Sequence, residues 1–498
     1  MVTRTTDQEK IFELSKKDWD ILIITGAAGT GKTTLLKEIR DEYKKNGWEI
    51  FPAAFTGRAA AVLRQKGLVN ARTIHFQIWG RPTMYVEFKK FFKLIKLKFT
   101  RKVDDNELWL IDEASMLHES LLTNLFDFIH NPEREKKLGL FGAKLNELYK
   151  DSKFEVKRNK KIIFCGDENQ LPPIWGNSKP ALDSQALKKI GYEVKVAKLT
   201  TLIRHKDSTL IQKYATDLEI SSGKILPGMK EEADSLEEIE FLDSQNIDDI
   251  ANTFLNLYNQ NPFSVKFISY VNQSVHEFNM YIRTKIHNLH PRQLLVERDL
   301  IHVTKNNYFY DLWNGDHLIV MSVDKTFEGP ELEVNCYIED LNGQEVARLK
   351  KGKKYRNIVK KVSLSFTRVN VMHVETKKET TLFVIDETLN NQEADDFIYR
   401  ERENLIHEVS EYLHKFFQYR HRNFNELSPD ERKKSRETDE YNNALFINYS
   451  YGITGHKSQG GEWDTTIVDL NSPYKPQKGW IYTATTRASK KVYIIPKN

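Results

Sequence analysis

A glycine-rich turn between an apolar run and a helical run restricts the fold of this chain more than any other feature. Ile21–Thr34 reads ILIITGAAGTGKTT. Asp20–Ile24 (DILII) is apolar enough for a buried strand, and Thr33–Lys45 has a helical texture. Glu49–Phe55 is again strand-like, and Arg58–Gln65 helix-like. Strands alternating with helices point to a parallel α/β sheet. Leu108–Ile111 and Lys161–Cys165 are short apolar runs suited to central strands. Val265–Tyr270 and Thr465–Leu470 repeat the pattern far downstream, which fits two α/β domains.

The turn also carries chemistry. Gly26-x-x-x-x-Gly31-Lys32-Thr33 matches the phosphate-binding P-loop pattern, with a strand before it and a helix after it. Glycines let successive backbone N–H groups face one anion at a helix start. Gly26, Ala28, Gly29, Thr30, Gly31, Lys32, Thr33 and Thr34 are the candidate ATP contacts. Lys32 supplies positive charge to the phosphates, and the Thr33 hydroxyl suits Mg²⁺. A second magnesium contact is needed on another strand. Trp109-Leu-Ile-Asp112-Glu113 ends an apolar run in two acids. Asp112 suits the metal, and Glu113 suits a base that orients or deprotonates water.

Composition sets the frame. At roughly 100–200 residues per domain, 498 residues correspond to about three or four domains. The net charge of +5 is too small to name a partner. Two cysteines, Cys165 and Cys336, make neither a disulfide framework nor a zinc site, and suit a reducing, cytoplasmic setting. No run of 18 apolar residues predicts a membrane span.

Between the two α/β regions the texture changes. Residues 315–388 are short, β-rich and turn-separated, as in a small all-β barrel, and 392–440 are charged and helix-like. The α/β texture is expected to resume at about Leu445. Residues 129–160 read as a charged surface insertion. A last unusual stretch, Gly166–Ile174 (GDENQLPPI), leaves an apolar run through two acids, two amides and two prolines.

In order along residues 8–490, the motifs resemble those of superfamily 1 helicases of the RecD and Dda type. Gln8 in TTDQEKIF resembles the adenine-reading glutamine. Phe55-Thr-Gly-Arg-Ala-Ala60, Thr73-Ile-His75, Asp112-Glu-Ala-Ser115 and Gly166-Asp-Glu-Asn-Gln-Leu-Pro-Pro173 follow. Leu199-Thr-Thr-Leu-Ile-Arg204 resembles the motif with a first arginine finger. Tyr270-Val-Asn272, Thr454-Gly-His-Lys-Ser-Gln-Gly460 and Tyr482-Thr-Ala-Thr-Thr-Arg487 close the series. The resemblance implies an α/β fold of two RecA-like P-loop motor domains. It adds an SH3-like barrel insert in the second and a small hairpin or wedge insert in the first. The expected division is 1–190 (wedge at about 80–105), then 191–314 with 441–498, and an insert at 315–440.

It further implies an ATP-driven, 5′→3′ DNA helicase using ATP and Mg²⁺, acting on single-stranded DNA and single/double-strand junctions. Arg204 and Arg487 become charge donors to the transferred phosphate, Gln170 a γ-phosphate sensor, and Gly460 and Glu462 further nucleotide contacts. Pro172 and Pro173 restrict φ and stiffen the exit toward Trp175. A P-loop ATPase that moves or remodels a partner without unwinding is the alternative, with 129–160 or 315–440 as a protein-docking segment.

Phosphate contacts to a single strand favour hydroxyls, amides, imidazoles and cations, and bases stack on aromatic faces. Candidates near the motifs are Thr56, Arg58, Thr73, His75, Phe76, Trp175, Asn272, Thr454, His456 and Lys457. Hydroxyls at helix starts, such as Thr73, equally suit caps. Phe76 and Tyr270 equally suit a core. YVEFKKFFKLIKLKFTRK at 85–102 interleaves basic and aromatic residues, as a wedge needs, or forms an amphipathic helix with a solvated basic face. Lys350–Lys354 reads as a basic hairpin tip.

Overall fold

The computed structural model describes residues 4–79, 106–130, 156–157, 159–173, 178–203, 208–225, 227–234, 237–242, 246–288, 295–307, 309–339, 348–350, 353–386, 402–420, 428, 431, 435 and 438–497. The expected wedge, most of the 129–160 insertion, Trp175 and Arg204 lie outside these residues. The chain divides into two compact units, 1–271 with 453–498, and 272–452.

The first unit holds two sheets. One has six strands in the order Arg72–Thr73, Glu49–Ala54, Glu107–Asp112, Lys160–Gly166, Ile21–Gly26, Val194–Leu199, all neighbours parallel. The continuous apolar runs have a direct cause. Ile21, Ile23, Trp109, Ile111, Ile162 and Phe164 pack into one buried cluster. Leu22, Ile24, Leu108, Leu110, Ile163 and Cys165 pack into another on the opposite face. A strand buried on both faces has no polar side, so alternation vanishes from its sequence.

The second sheet runs Gly452–Thr454, Val265–Ser269, Trp463–Asp469, Ala488–Ile495, Ile239–Phe241. Its Val265–Ser269, Trp463–Asp469, Ala488–Ile495 and Ile239–Phe241 neighbours are parallel. Helices Ser208–Ile220 and Trp480–Thr485 contribute to the same apolar cluster as its strands.

The second unit carries a closed barrel of His317–Glu328, Ser365–His373, Glu379–Asp386, Leu445–Tyr449 and Leu300–Val303. Leu445–Tyr449 was expected to resume the α/β texture, but it closes the barrel, parallel to Glu379–Asp386 and antiparallel to Leu300–Val303. A five-residue apolar run carries no periodicity that separates a barrel strand from a sheet strand. The barrel therefore draws strands from both sides of the expected 315–440 segment. Leu332–Glu339, Lys353–Val362 and Arg348–Lys350 form a separate antiparallel sheet, with Lys350 opposite Lys353. Helix Arg402–Arg420 caps this region; its Tyr412 is buried and donates to Pro330 O at 2.9 Å.

Within this unit Arg283 pairs in bidentate fashion with Asp299, at 2.9–3.2 Å. Tyr451 adds a third donor at 3.1 Å, so the buried carboxylate is well satisfied. Among the described residues, no helix is long and apolar enough to cross a membrane.

Candidate active site

The glycine turn follows strand Ile21–Gly26 and feeds helix Lys32–Lys45. Gly31 has φ +78°, and a β-carbon there would stand 2.6 Å from both Gln8 Nε2 and Ile203 Cδ1. Both the backbone conformation and the space therefore require glycine. Lys32 Nζ donates to Gly26 O at 2.7 Å and Ala27 O at 2.9 Å, which holds the ammonium over the turn. Thr30 Oγ1 donates to Ala27 O at 2.9 Å.

Gln8 lies in helix Thr6–Ser15, where it forms a capping box with Thr5. It is buried, and its Nε2 makes a long 3.5 Å contact to Thr30 O. The preceding Asp7 accepts from Thr200 N at 2.7 Å and Thr201 N at 2.9 Å. These contacts, with Thr5 and Gln8 N, outweigh its partial burial and hold its carboxyl well below the usual range. Ile203 N donates to Gly29 O at 3.0 Å. The segment leading to Arg204 is thus pinned to helix Thr6–Ser15 and to the glycine turn.

Thr33 Oγ1 donates to Asp112 Oδ2 at 3.2 Å, so the two candidate metal contacts meet. Asp112 Oδ1 accepts from Glu113 N at 2.9 Å. Glu113 adopts the left-handed conformation, φ 54° and ψ 38°, as the strand turns into Ala114–Met116. Burial, and next the Asp112 carboxylate, raise its pKa; Arg487 and Lys32 oppose the rise and Asp167 adds to it. Five charged groups from four motifs therefore act at one place.

Loop 166–173 is fixed at several points. Asp167 accepts from Asn169 N at 2.9 Å and from Tyr482 Oη at 3.3 Å. Lys179 Nζ donates to the carbonyls of Glu168 and Gln170. Leu171 N donates to Thr483 Oγ1 at 2.9 Å, and that hydroxyl donates to Gly479 O at 2.6 Å. Gln170 is 3% exposed, and its Oε1 has no partner. Arg487 is 5% exposed, with Nε donating to Thr483 O at 3.0 Å and Nη1 to Gly461 O at 3.3 Å, whereas Nη2 has no partner. A buried polar atom without a partner costs roughly 1–3 kcal/mol.

A family model described as an AAA domain matches residues 3–142, and one described as a UvrD-like helicase C-terminal domain matches residues 449–495. The ATP-dependent DNA helicase PIF1 of Saccharomyces cerevisiae is 28% identical over 193 residues, covering 37% of this chain and 19% of that protein. These matches make the chain similar to superfamily 1 helicases of the Pif1/RecD-like group. The uncharacterized protein MJ1519 of Methanocaldococcus jannaschii is 24% identical over 493 residues, 95% of this chain and 36% of that protein. The chain thus spans well under half the length of either relative. The crystal structure of Pif1 helicase from Candida albicans aligns with a TM-score of 0.49 at 18% identity, covering 100% of this chain and 95% of that one.

The nucleic-acid candidates fall in several settings. Thr56 and Thr73 both cap helices: Thr56 Oγ1 accepts from Ala59 N, and Thr73 Oγ1 from Phe76 N, each at 3.1 Å. Arg58 is buried with its guanidinium 5.1 Å from the Trp463 ring. Gly460 has φ +75°, a β-carbon there would stand 3.6 Å from Ala59 Cβ, and Glu462 is exposed. Phe76 is half-buried beneath Arg72, at 4.4 Å. His75 is open to solvent on one side, and Phe55 stands 6.0 Å away on another. Crowding by its neighbours, then His118, lowers its pKa.

Thr454 is buried at the start of Gly455–Ser458, where His456 and Lys457 are half-buried. Burial lowers His456, and a hydrogen bond with Gln477 works against that. Tyr270 packs edge-on against Trp480 at 5.4 Å. In the second unit, Asn272 opens helix Asn272–His287 and is exposed. Sequence reading missed Asp7, Lys179, Gln212 and Glu219, since a lone polar residue on a helix or loop carries no signal of what it touches. Asp7 had a faint one, an acid in the first turn after Thr5-Thr6.

Proposed function

We propose that this chain is an ATP-dependent DNA helicase that moves 5′→3′ along single-stranded DNA and opens duplex ahead of it. The observation that carries the reading is the charge cluster of Lys32, Asp112, Glu113, Asp167 and Arg487, in which Arg487 keeps a buried donor, Nη2, without a partner. A buried guanidinium donor beside this cluster suits an anionic acceptor. The donor set fits a nucleoside triphosphate with Mg²⁺: an ammonium on a glycine turn, a hydroxyl beside a carboxylate, and a buried guanidinium.

ATP supplies the phosphoryl group passed to water; Thr33 and Asp112 would hold Mg²⁺, which would neutralise phosphate charge. Glu113, with its raised pKa, takes the proton from that water. Lys32 and Arg487, with Arg204, stabilise charge that develops on the phosphoryl oxygens. Gln8 sits where it can read the base. Gln170 links the phosphate end to loop 166–173, and Tyr482 and Thr483 hold that loop against the helix preceding Arg487. Two motor domains, one built on the six-stranded sheet and one on the five-stranded sheet, then open and close with each turnover. Thr56, Arg58, Thr73, His75, Phe76, Thr454, His456 and Lys457 are the proposed strand contacts, and the sequence adds Trp175 and Asn272 as candidates.

The test is ATPase rate with and without single-stranded DNA, and unwinding of duplexes with one 5′ or one 3′ overhang. Strong stimulation and unwinding of the 5′-tailed substrate alone are expected. Stimulation without unwinding of either leaves the translocase or switch reading. No stimulation overturns both.

A further inference from the structure

Helix Ser208–Ile220 makes two polar contacts that tie it to opposite sides of the proposed hydrolytic site. Near its start, Gln212 Nε2 donates to Ala28 O of the glycine turn at 2.8 Å. Near its end, Glu219 accepts from Gly479 N at 2.7 Å through Oε1 and from Tyr482 N at 3.2 Å through Oε2. Seven residues are about two turns and about 10 Å of helix, so both side chains stand on one face.

The neighbouring face carries the packing. Ile211, Tyr214 and Leu218 are buried in the same apolar cluster as Trp480, Ile481 and Ala484. The helix therefore cannot slide on Trp480–Thr485 without breaking close-packed contacts. The turn that Glu219 holds is the one whose Tyr482 donates to Asp167 and whose Thr483 accepts from both Leu171 N and Arg487 Nε, the last through its carbonyl.

We propose that Gln212 and Glu219 are positioning residues, and that helix Ser208–Ile220 is a strut that sets Arg487 relative to the phosphate-binding turn. Neither residue touches substrate. Gln212 reads the position of the turn through the Ala28 carbonyl. Glu219 passes that position to the backbone N–H groups at the head of the Arg487 segment. The proposal rests on the hydrolytic reading above, because it concerns how that site is assembled.

The test uses the full chain with Glu219→Gln and, separately, Gln212→Leu. The first keeps the size but loses the paired carboxylate acceptors, and the second keeps the size but loses the donor. Turnover with saturating single-stranded DNA should fall about tenfold in each, while KM for ATP and affinity for ADP stay within about twofold. Affinity for ADP with aluminium fluoride, which mimics the transferred group, should fall about tenfold as well.

In an Arg487→Ala background, where single-turnover hydrolysis is measured, Glu219→Gln should change the rate less than about twofold, because both act through one group. The proposal is overturned if both variants turn over at the parent rate. It is also overturned if Glu219→Gln costs the same factor with or without Arg487. A matched loss of ADP affinity and melting temperature in both variants overturns it too, as a merely structural effect. A parent chain that hydrolyses no ATP with DNA present overturns the hydrolytic reading itself, and is told apart by that control.

Discussion

Gly479 is a point of close approach between loop 166–173 and the segment bearing Arg487, and Gly479→Ala tests that approach. The residue has φ +86° and ψ −2°, and an added β-carbon would stand 2.8 Å from both Asn169 O and Gln170 O. A carbon–oxygen contact is normally no closer than about 3.3 Å. Left-handed backbone costs alanine roughly 1–2 kcal/mol, and overpacking against fixed atoms adds roughly 1–3 kcal/mol. The carbonyls have little room to yield. Lys179 holds Gln170 O, and the next N–H, that of Leu171, is held by Thr483.

The expected response is separation of the loop from helix Trp480–Thr485, which misplaces Gln170 and Arg487 together. DNA-stimulated turnover should fall at least about tenfold, a loss equivalent to about 1.4 kcal/mol of the strain. Gly228 supplies the control, because it has φ +83° and a β-carbon there meets nothing within 4 Å. Gly228→Ala should lower melting temperature by the backbone cost alone and leave turnover within about twofold. Circular dichroism melts and steady-state ATPase assays on the two variants decide the matter. Equal turnover in both would refute the close approach and the coupling built on it.

Three further outcomes are expected. Glu113→Gln should retain nucleotide and DNA binding and lose turnover by on the order of 10²–10⁴-fold, checked by binding titration beside kcat. A base works unprotonated, and burial with Asp112 raises Glu113. The acid limb of the parent's pH–rate profile should therefore lie above the ordinary glutamate range of about 4.3 and be absent from the variant's residual rate. Gln170→Ala should bind both ligands and hydrolyse ATP, yet unwind poorly; normal unwinding would return loop 166–173 to being a polar turn.

Asp7→Asn should lower melting temperature at neutral pH. The folded Asp7 carboxyl is depressed, so its stabilisation is present above the ordinary aspartate range of about 3.9 and is lost as pH falls toward the lowered value. The gap between parent and variant melts should therefore close on acidification, and a gap that persists in acid would remove Asp7 from the anchoring of Thr200 and Thr201.

The α/β architecture was legible because its signals are local. Strand, glycine turn and helix at 21–45 follow from burial on both faces, from Gly31 at positive φ and from helical periodicity, all within one stretch of chain. The same holds for the strand-end acids, since Asp112 and Glu113 must sit where a parallel strand delivers them. The barrel was legible in texture but not in membership. Leu300–Val303 and Leu445–Tyr449 pair with each other across more than a hundred residues, and neither run differs in pattern from a sheet strand. The supports were hidden for the same reason. Gln212 and Glu219 look like ordinary polar positions on an amphipathic helix, and their importance lies wholly in what stands opposite. Thr56 and Thr73 show the converse, for their hydroxyls have a local use as caps that any helix start would explain.

The unpartnered atoms also say how the site stores its readiness. Arg487 is not free to swing in: Thr483 O and Gly461 O hold two of its nitrogens, so its third is aimed by the fold. Gln170 is similarly fixed, because its own carbonyl is bound by Lys179 and its neighbour's N–H by Thr483. Each orphan costs roughly 1–3 kcal/mol until it is met. A phosphate oxygen can accept from Arg487 Nη2, whereas Gln170 Oε1 needs a water or hydroxyl hydrogen; each cost is removed only while loop 166–173 and helix Trp480–Thr485 hold these atoms in place. On the proposed reading, binding at the phosphate end favours the joined arrangement by linkage, and loss of the terminal phosphate releases it. The stiffness of Pro172 and Pro173 then has a physical purpose. A flexible exit would absorb the shift of Gln170 within the loop, whereas two prolines pass it along the backbone.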